Sequence, residues 1–275
     1  MALILLSPGM GQAETEPPAA GGWLKRLLLQ LVDRAMFDVD DLKDHPDEAL
    51  HRLRLRMKKA DALLRLSKGA ARKTARWRLR EQIRKVKNIC GSQRDAAVVA
   101  KLAHELGRKR GLYLVLPPIV HAKPNARKLH AGLSELRREL AEQIFDGLTW
   151  DDVGDNYAAC YRSGRRRMRE AEETGNAEAF HRWRKRAKAL YYQTQALHGI
   201  LAHPQHRLRR TRKLGKLLGR EHDLILLEEE TSAKSPANPW LEVINARREK
   251  LRPQILALGG SLYRQPAHRF ARLCD

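Results

Sequence analysis

The sequence predicts an all-α fold, on three observations. Apolar residues recur at the 3.6-residue helical period in nearly every segment beyond residue 22. Helix start and stop signals separate those segments, and only one short run, residues 111–118, reads like a strand. One basic helical signature also occurs twice: His51-Arg-Leu-Arg54-Leu-Arg-Met-Lys58-Lys59 and His181-Arg-Trp-Arg184-Lys185-Arg-Ala-Lys188. Each copy precedes a Gly…Asp element, Gly91-Ser-Gln-Arg94-Asp95 and Gly219-Arg-Glu-His222-Asp223. The near-equal spacing of the two sets implies an internal duplication.

Residues 1–22, rich in Gly, Pro and Ala, are expected to form a disordered leader. The apolar run at their start lacks a cationic n-region and is too short for a signal peptide. Leu24, Leu27, Leu28 and Leu31 then mark a helix over 23–37. His45-Pro46-Asp47 starts the next helix, which runs over about 47–66 and stops at Ser67-Lys68-Gly69. A helix over 74–89 ends at Gly91 as a C-terminal cap, and another covers 95–108. Residues 111–118 are expected to be a connecting loop or buried segment, closed by Pro117-Pro118. Further helices follow over 126–144, 150–173, 178–201 and 205–218, the last ending at Gly219. A separate helix begins at 223–230, residues 231–239 read as a linker, and 240–258 as the closing helix.

Charge bounds the partners. The 275 residues hold 54 Lys+Arg against 32 Asp+Glu, a formal charge of +22, so an anionic partner is the first expectation. The excess is local. Residues 49–90 contain 15 basic and 2 acidic side chains, and residues 181–223 contain 12 and 2, which together match the whole surplus. Aromatics are only 5%, which argues against single-stranded nucleic-acid platforms, since those need exposed stacking rings. Cys90, Cys160 and Cys274 are odd in number and lack paired spacing, so neither a disulfide framework nor a zinc site is expected, and a reducing compartment fits. No stretch approaches the roughly 20 apolar residues that span a bilayer, so no membrane association and a cytoplasmic location are expected.

Helical phasing gives the repeated motif its physical content. With His51 at 0° and about 100° per residue, Arg54, Lys58 and Arg65 fall near about 300–340°, one stripe. Leu53, Met57, Ala60 and Leu64 cluster near about 200°, the face that must be packed. His181, Arg184 and Lys188 likewise share a stripe opposite Trp183, Ala187 and Leu190. The partner segments add Arg76, Arg80, Arg84 and Lys87 in the first half and Arg209, Lys213 and Lys216 in the second, again at helical spacing. Like charges at this density repel, and an anionic ligand relieves the repulsion. Arginine supplies bidentate forks for phosphate oxygens and lysine a compact charge.

A single basic run on a helix is usually a solvated face. Two copies at equal spacing, each opened by a histidine, favour a shared ligand instead. A lone histidine is more often a cap or core-edge residue, and it adds charge only when a bound phosphate raises its pKa. Asp95 and Asp223 either orient an arginine or cap the following helix, a structural role being favoured because a free carboxylate opposes anion binding. Catalytic constellations are missing: there is no Walker-type loop, no nucleophile elbow and no His-Glu-x-x-His. The acidic runs Asp38-Val-Asp40-Asp41 and Glu228-Glu229-Glu230 lack defined metal-ligand spacing, so neither a metal nor a cofactor is expected.

These residues resemble the CHAD family, an α-helical domain named for its histidines that binds inorganic polyphosphate. The matching positions are His51, Arg54, Lys58, Lys59 and Arg94-Asp95, then His181, Arg184, Lys185, Lys188 and His222-Asp223. Tyr161-Arg162-Ser-Gly-Arg165-Arg166-Arg167-Met168 is similar to the family's Tyr-Arg-x-Gly-Arg helix before the second motif. Leu55 stands where the family usually has Val, and Lys58 where Arg is common. The likeness spans residues 23–260, with 261–275 left as a C-terminal tail. It implies two four-helix-bundle-like halves, about 23–122 and 123–260, related by a pseudo-twofold axis around a basic central groove or pore. It further implies a non-enzymatic, stand-alone polyphosphate binder that targets or scaffolds polyphosphate granules. The runner-up is a non-specific nucleic-acid-binding protein using the same basic surface, and a phosphate-hydrolysing enzyme is the third reading. The sequence leaves the oligomeric state open.

Overall fold

Capping chemistry sets several of the helix starts. Asn125, Thr149 and Asn176 each accept a backbone N–H from the first turn of the helix that follows, and Thr149 and Asp152 form a reciprocal capping box. The computed structural model describes residues 19–69, 73–90, 93–108, 110–114, 125–143, 145–232 and 239–274, with the backbone alone at 93–97. Its α-helices are α1 (Ala20–Asp40), α2 (Pro46–Leu64), α3 (Lys73–Ile89), α4 (Gln93–Gly107) and α5 (Ala126–Glu142), followed by α6 (Trp150–Thr174), α7 (Ala177–Ala196), α8 (Pro204–Ser232), α9 (Trp240–Leu262) and α10 (Ala267–Phe270). No β-strand occurs among the described residues, as the periodicity predicts; Leu201 and Leu273 make an isolated bridge.

The apolar stripes are the packed ones. Leu53, Met57, Ala60 and Leu64 of α2 are fully buried, as are Trp183 and Leu190 of α7. Helix α1 packs on α2 and α5, and α3 on α2 and α5; α7 lies between α6 and α8, and α9 covers α8. The two motif helices, α2 and α7, pack directly against each other. That contact is closed by small side chains, Ala62 and Ala189, and by Gln193, whose Nε2 donates to the Ala62 carbonyl at 2.8 Å inside the core.

Several expected boundaries move. Helix α1 begins at Ala20, inside the anticipated leader, because Gly21 lets the helix press on the Phe145 backbone: a Cβ there would stand 2.1 Å from the Phe145 carbonyl oxygen. Residues 1–18 lie outside the described residues, as do Gly91 with its expected cap, residues 115–118 of the strand-like run, and most of the 231–239 linker. Residues 111–114 form no strand. Helix α7 ends at Ala196, short of the expected Leu201. Helix α9 runs on to Leu262, and the residues read as a tail return to the core, where Phe270 stacks on Tyr161 with ring centroids 4.2 Å apart.

The largest departure is α8. The helix expected to stop at Gly219 and the one expected to start at Asp223 are a single 29-residue helix. Glycine in a helix costs backbone entropy, but here it does not break the helix. Leu214, Leu218, Glu221, Leu224 and Leu227 form one buried row through the break point, and packing along that row outweighs the local propensity. Asp223 therefore sits inside a helix and not at the start of one.

Two glycines should respond in opposite ways. A Cβ at Gly219 meets nothing within 4 Å, so Gly219→Ala should raise stability by about 0.5–1 kcal/mol in denaturant unfolding. A Cβ at Gly164 would meet the buried Tyr263 Oη at 2.3 Å, so Gly164→Ala should cost about 1–3 kcal/mol by overpacking.

Candidate functional site

Helix α2 divides its cations between two faces. Arg52 and Arg56, at about 100–140° from His51, turn to α1. There Arg52 Nε donates to Asp38 Oδ1 at 2.9 Å and its Nη2 to Asp41, while Arg56 reaches Asp38 through Nε and through Nη2 at 3.2 Å. Asp38 is buried, so both arginines are consumed in a structural clamp. Lys59 belongs to this side too: burial lowers its pKa, helped by Arg56 and by Arg34 of α1. The expected site residues Arg54, Lys58 and Arg65 lie on the other face, at about 300–340°.

Helix α7 repeats the division. Arg182, which follows His181 as Arg52 follows His51, is clamped to Glu170 of α6 and to Glu178. The acidic runs noted in the sequence serve the same purpose, Asp38 and Asp41 as above and Glu228 by accepting from Arg248 Nη2 at 2.6 Å. Among the described residues no group of three or more His, Cys, Asp or Glu side chains is placed to hold a metal ion, and no helix is long and apolar enough to cross a membrane.

Because α2 and α7 pack together, their free faces and the neighbouring faces of α3 and α8 contribute to one cationic region. Burial lowers the pKa of Lys87 on α3; Asp61 opposes that, and Arg54, Arg65 and Arg80 add to it. Arg76 is lowered by burial and then by Arg80 and Arg65. Arg186 of α7 is lowered by burial and then by Arg65, so α7 joins the same group. Arg186 lies off the stripe of Arg184 and Lys188, about 140° from His181, and the helix crossing brings it in. At the other end, Lys58 of α2 and Arg184 and Lys185 of α7 surround His222 of α8.

One acid stands within this surface. Asp61 accepts from Arg65 Nη2 and from Arg80 Nε, both at 2.8 Å. Burial alone would raise its carboxyl, but the two guanidinium groups outweigh that and hold it below the usual carboxylate range. Its phase, about 280° from His51, placed it in the basic stripe, and that was the available signal.

The second histidine finds a partner the sequence did not show. His181 Nδ1 and His222 Nδ1 are 3.4 Å apart, with ring centroids at 4.8 Å. Burial, then Arg184, His181, Lys58 and Lys185, push His222 down to about 4. Burial, Lys185 and Arg184 also lower His181, against a small opposing pull from Glu178. The pair is therefore neutral near pH 7, and one ring can donate an Nδ1–H to the other. His51 is half-buried on α2.

Other candidates go elsewhere. Lys188 passes over Gly215, where a Cβ would lie 3.5 Å from its Cδ. Gly215 and His222 mark the face of α8 turned to α7, about 220–240° around from Arg209. Arg209 and Lys213 are exposed on the opposite side, and Lys216 lies between. Arg84 is exposed and bound to Glu81, with Nη2 2.7 Å from Oε1. Arg165 lies over the Tyr161 ring at 5.3 Å and donates to the Gln265 carbonyl, which ties α6 to the C-terminal segment; Arg166 is exposed. The Arg94 side chain lies outside the described residues.

Removing the internal acid should strengthen anion binding while weakening the fold. Asp61→Asn should raise polyanion affinity severalfold at low salt, because Arg65 and Arg80 lose their countercharge, and should lower unfolding stability by about 1–2 kcal/mol. Isothermal titration and denaturant unfolding of the same variant check both signs. His222 adds a pH signature: its folded pKa of about 4 lies below the ordinary 6.5, so the unfolded chain takes up the proton first. Stability should fall as pH drops from 6.5 towards 4, and His222→Gln should flatten that limb in thermal melts.

Comparison with known proteins agrees with this architecture. The crystal structure of the CHAD domain from the plant Ricinus communis superposes with a TM-score of 0.55 at 18% sequence identity, covering 94% of this chain and 97% of that one. No curated protein matches the sequence. The CHAD domain family model matches residues 25–231, and the chain belongs to the CHAD domain family.

Proposed function

We propose that this protein binds inorganic polyphosphate, without turning it over, on the surface shared by α2, α3, α7 and α8. The observation that carries the reading is the convergence of Arg54, Lys58, Arg65, Arg76, Lys87, Arg184 and Arg186 from three of these helices, with His222 from the fourth, while neighbouring arginines are spent on buried carboxylates. Membership of a family linked to polyphosphate binding supports it.

The chemistry is electrostatic. Each phosphate held by a guanidinium or ammonium group releases counterions, so affinity falls steeply as salt rises. Arginine forks give directional contacts to phosphate oxygens, and exposed lysines such as Lys58 and Lys185 add charge at the rim. The neutral His181–His222 pair offers a hydrogen-bond donor, and a phosphate beside it favours uptake of a proton. Attachment to polyphosphate granules is a cellular use compatible with this reading.

Replacing Arg54 and Arg184 together with Ala should weaken polyphosphate binding by about tenfold or more per lost charge-assisted contact and leave the helical circular dichroism unchanged. Filter binding across a salt series reads it, with a shallower salt slope expected for the variant. Unchanged affinity at moderate salt sinks this site assignment.

A further inference from the structure

Three large hydrophobic side chains are exposed among the described residues, Phe37, Tyr113 and Trp77, and Trp77 stands among the cations of α3. Trp77 of α3 is 65% exposed, although Leu79, Ile83 and Val86 of the same helix are buried. Tryptophan is usually well covered, whereas this indole lies in water with cations on either side along the helix. On the helix, Trp77 lies one turn from Lys73 and Arg80 and two turns from Arg84. Arg80 is held by Asp61 and Arg76 is crowded by Arg80 and Arg65, so the ring adjoins the rim of the cationic region. Glu81, one turn on, does not oppose an anion, since Arg84 binds it through Nη2 at 2.7 Å and Nε at 3.0 Å.

An inorganic phosphate chain offers nothing flat for an indole to cover. A nucleobase does, and base stacking on an aromatic ring tolerates any sequence. The cations from Lys73 to Lys87 extend along about 21 Å of helix, longer than the phosphates of a single nucleotide reach. A duplex keeps its bases stacked inside, so only an unpaired base can lie on the ring.

We propose that α3 carries a single-stranded nucleic-acid site, in which Trp77 stacks one base while Lys73, Arg76 and Arg80 hold the adjoining phosphates. The low aromatic content still limits the site: it is a single platform and not an extended track of rings. The proposal goes beyond the polyphosphate reading and does not need it, because its marker is a residue to which inorganic phosphate is indifferent.

The test compares wild type, Trp77→Ala and Trp77→Phe against four probes: a short single-stranded oligoadenylate, its duplex, inorganic polyphosphate of matched charge, and polyglutamate. The oligoadenylate should quench tryptophan emission, and Trp77→Ala should weaken it by about five- to a hundredfold, with partial recovery in Trp77→Phe. Polyphosphate affinity should not move, whether strong or weak. Circular dichroism confirms that the variants fold, as substitution of an exposed side chain permits. Equal weakening on oligoadenylate and polyphosphate, no weakening on oligoadenylate, or equal emission change with the duplex or polyglutamate overturns the proposal.

Discussion

Repulsion among crowded cations is the constraint around which this molecule is built. In a chain with 54 Lys+Arg and 32 Asp+Glu, like charges oppose the packing of basic helices, and carboxylates stand at several of the joints. Asp38 joins α1 to α2, Glu170 joins α6 to α7, and Glu221 joins α8 to α9 by accepting from Arg252 at 2.7 Å. Glu221 and Asp38 are both buried, where loss of one partner leaves an uncompensated charge. These clamps spend acids away from the cationic face. The surplus of positive charge then collects on the other side.

That distribution makes the fold and the site two outcomes of one arrangement. On α2, Arg52 and Arg56 hold the helix down, and Arg54 and Lys58 project from what is held. At the joint between α2 and α7, Ala62 and Ala189 share a buried cluster with Tyr192, and Gln193 bonds across to the Ala62 carbonyl. The lowered pKa values of Arg76, Lys87 and Arg186 report the same thing electrostatically, since burial and like neighbours both disfavour their charged forms. A polyanion relieves the repulsion, and its opposite charge offsets the burial.

Asp61 and the histidine pair temper this surface from within. Asp61 holds Arg65 and Arg80 in fixed positions, exchanging some attraction for order in two long side chains. The His181–His222 contact is compatible with the surrounding cations because both rings are neutral near pH 7. The unhindered Gly219 backbone leaves open space on α8 between Gly215, under Lys188, and His222. The site therefore combines fixed charges, a polar neutral pair and uncovered helix.

The helical class, most of the helices, the stripes that pack and the location of the charge surplus were legible in the sequence alone. Leu53, Met57, Trp183 and Leu190 were legible because burial and helical phase are local properties of a repeating chain. The motif also made the family resemblance legible. Which cations meet was not legible, because side chains on different helices have no fixed relation in sequence. The crossing of α2 with α7 drew in Arg186, packing of α2 on α1 turned Lys59 towards Arg34, and packing of α7 on α8 set His181 beside His222. Packing along one buried row carried α8 straight through Gly219, against the residue's own preference, and left Arg209 and Lys213 facing away from His222. Local chemistry chose the helices; burial shared between helices decided which charges they bring together.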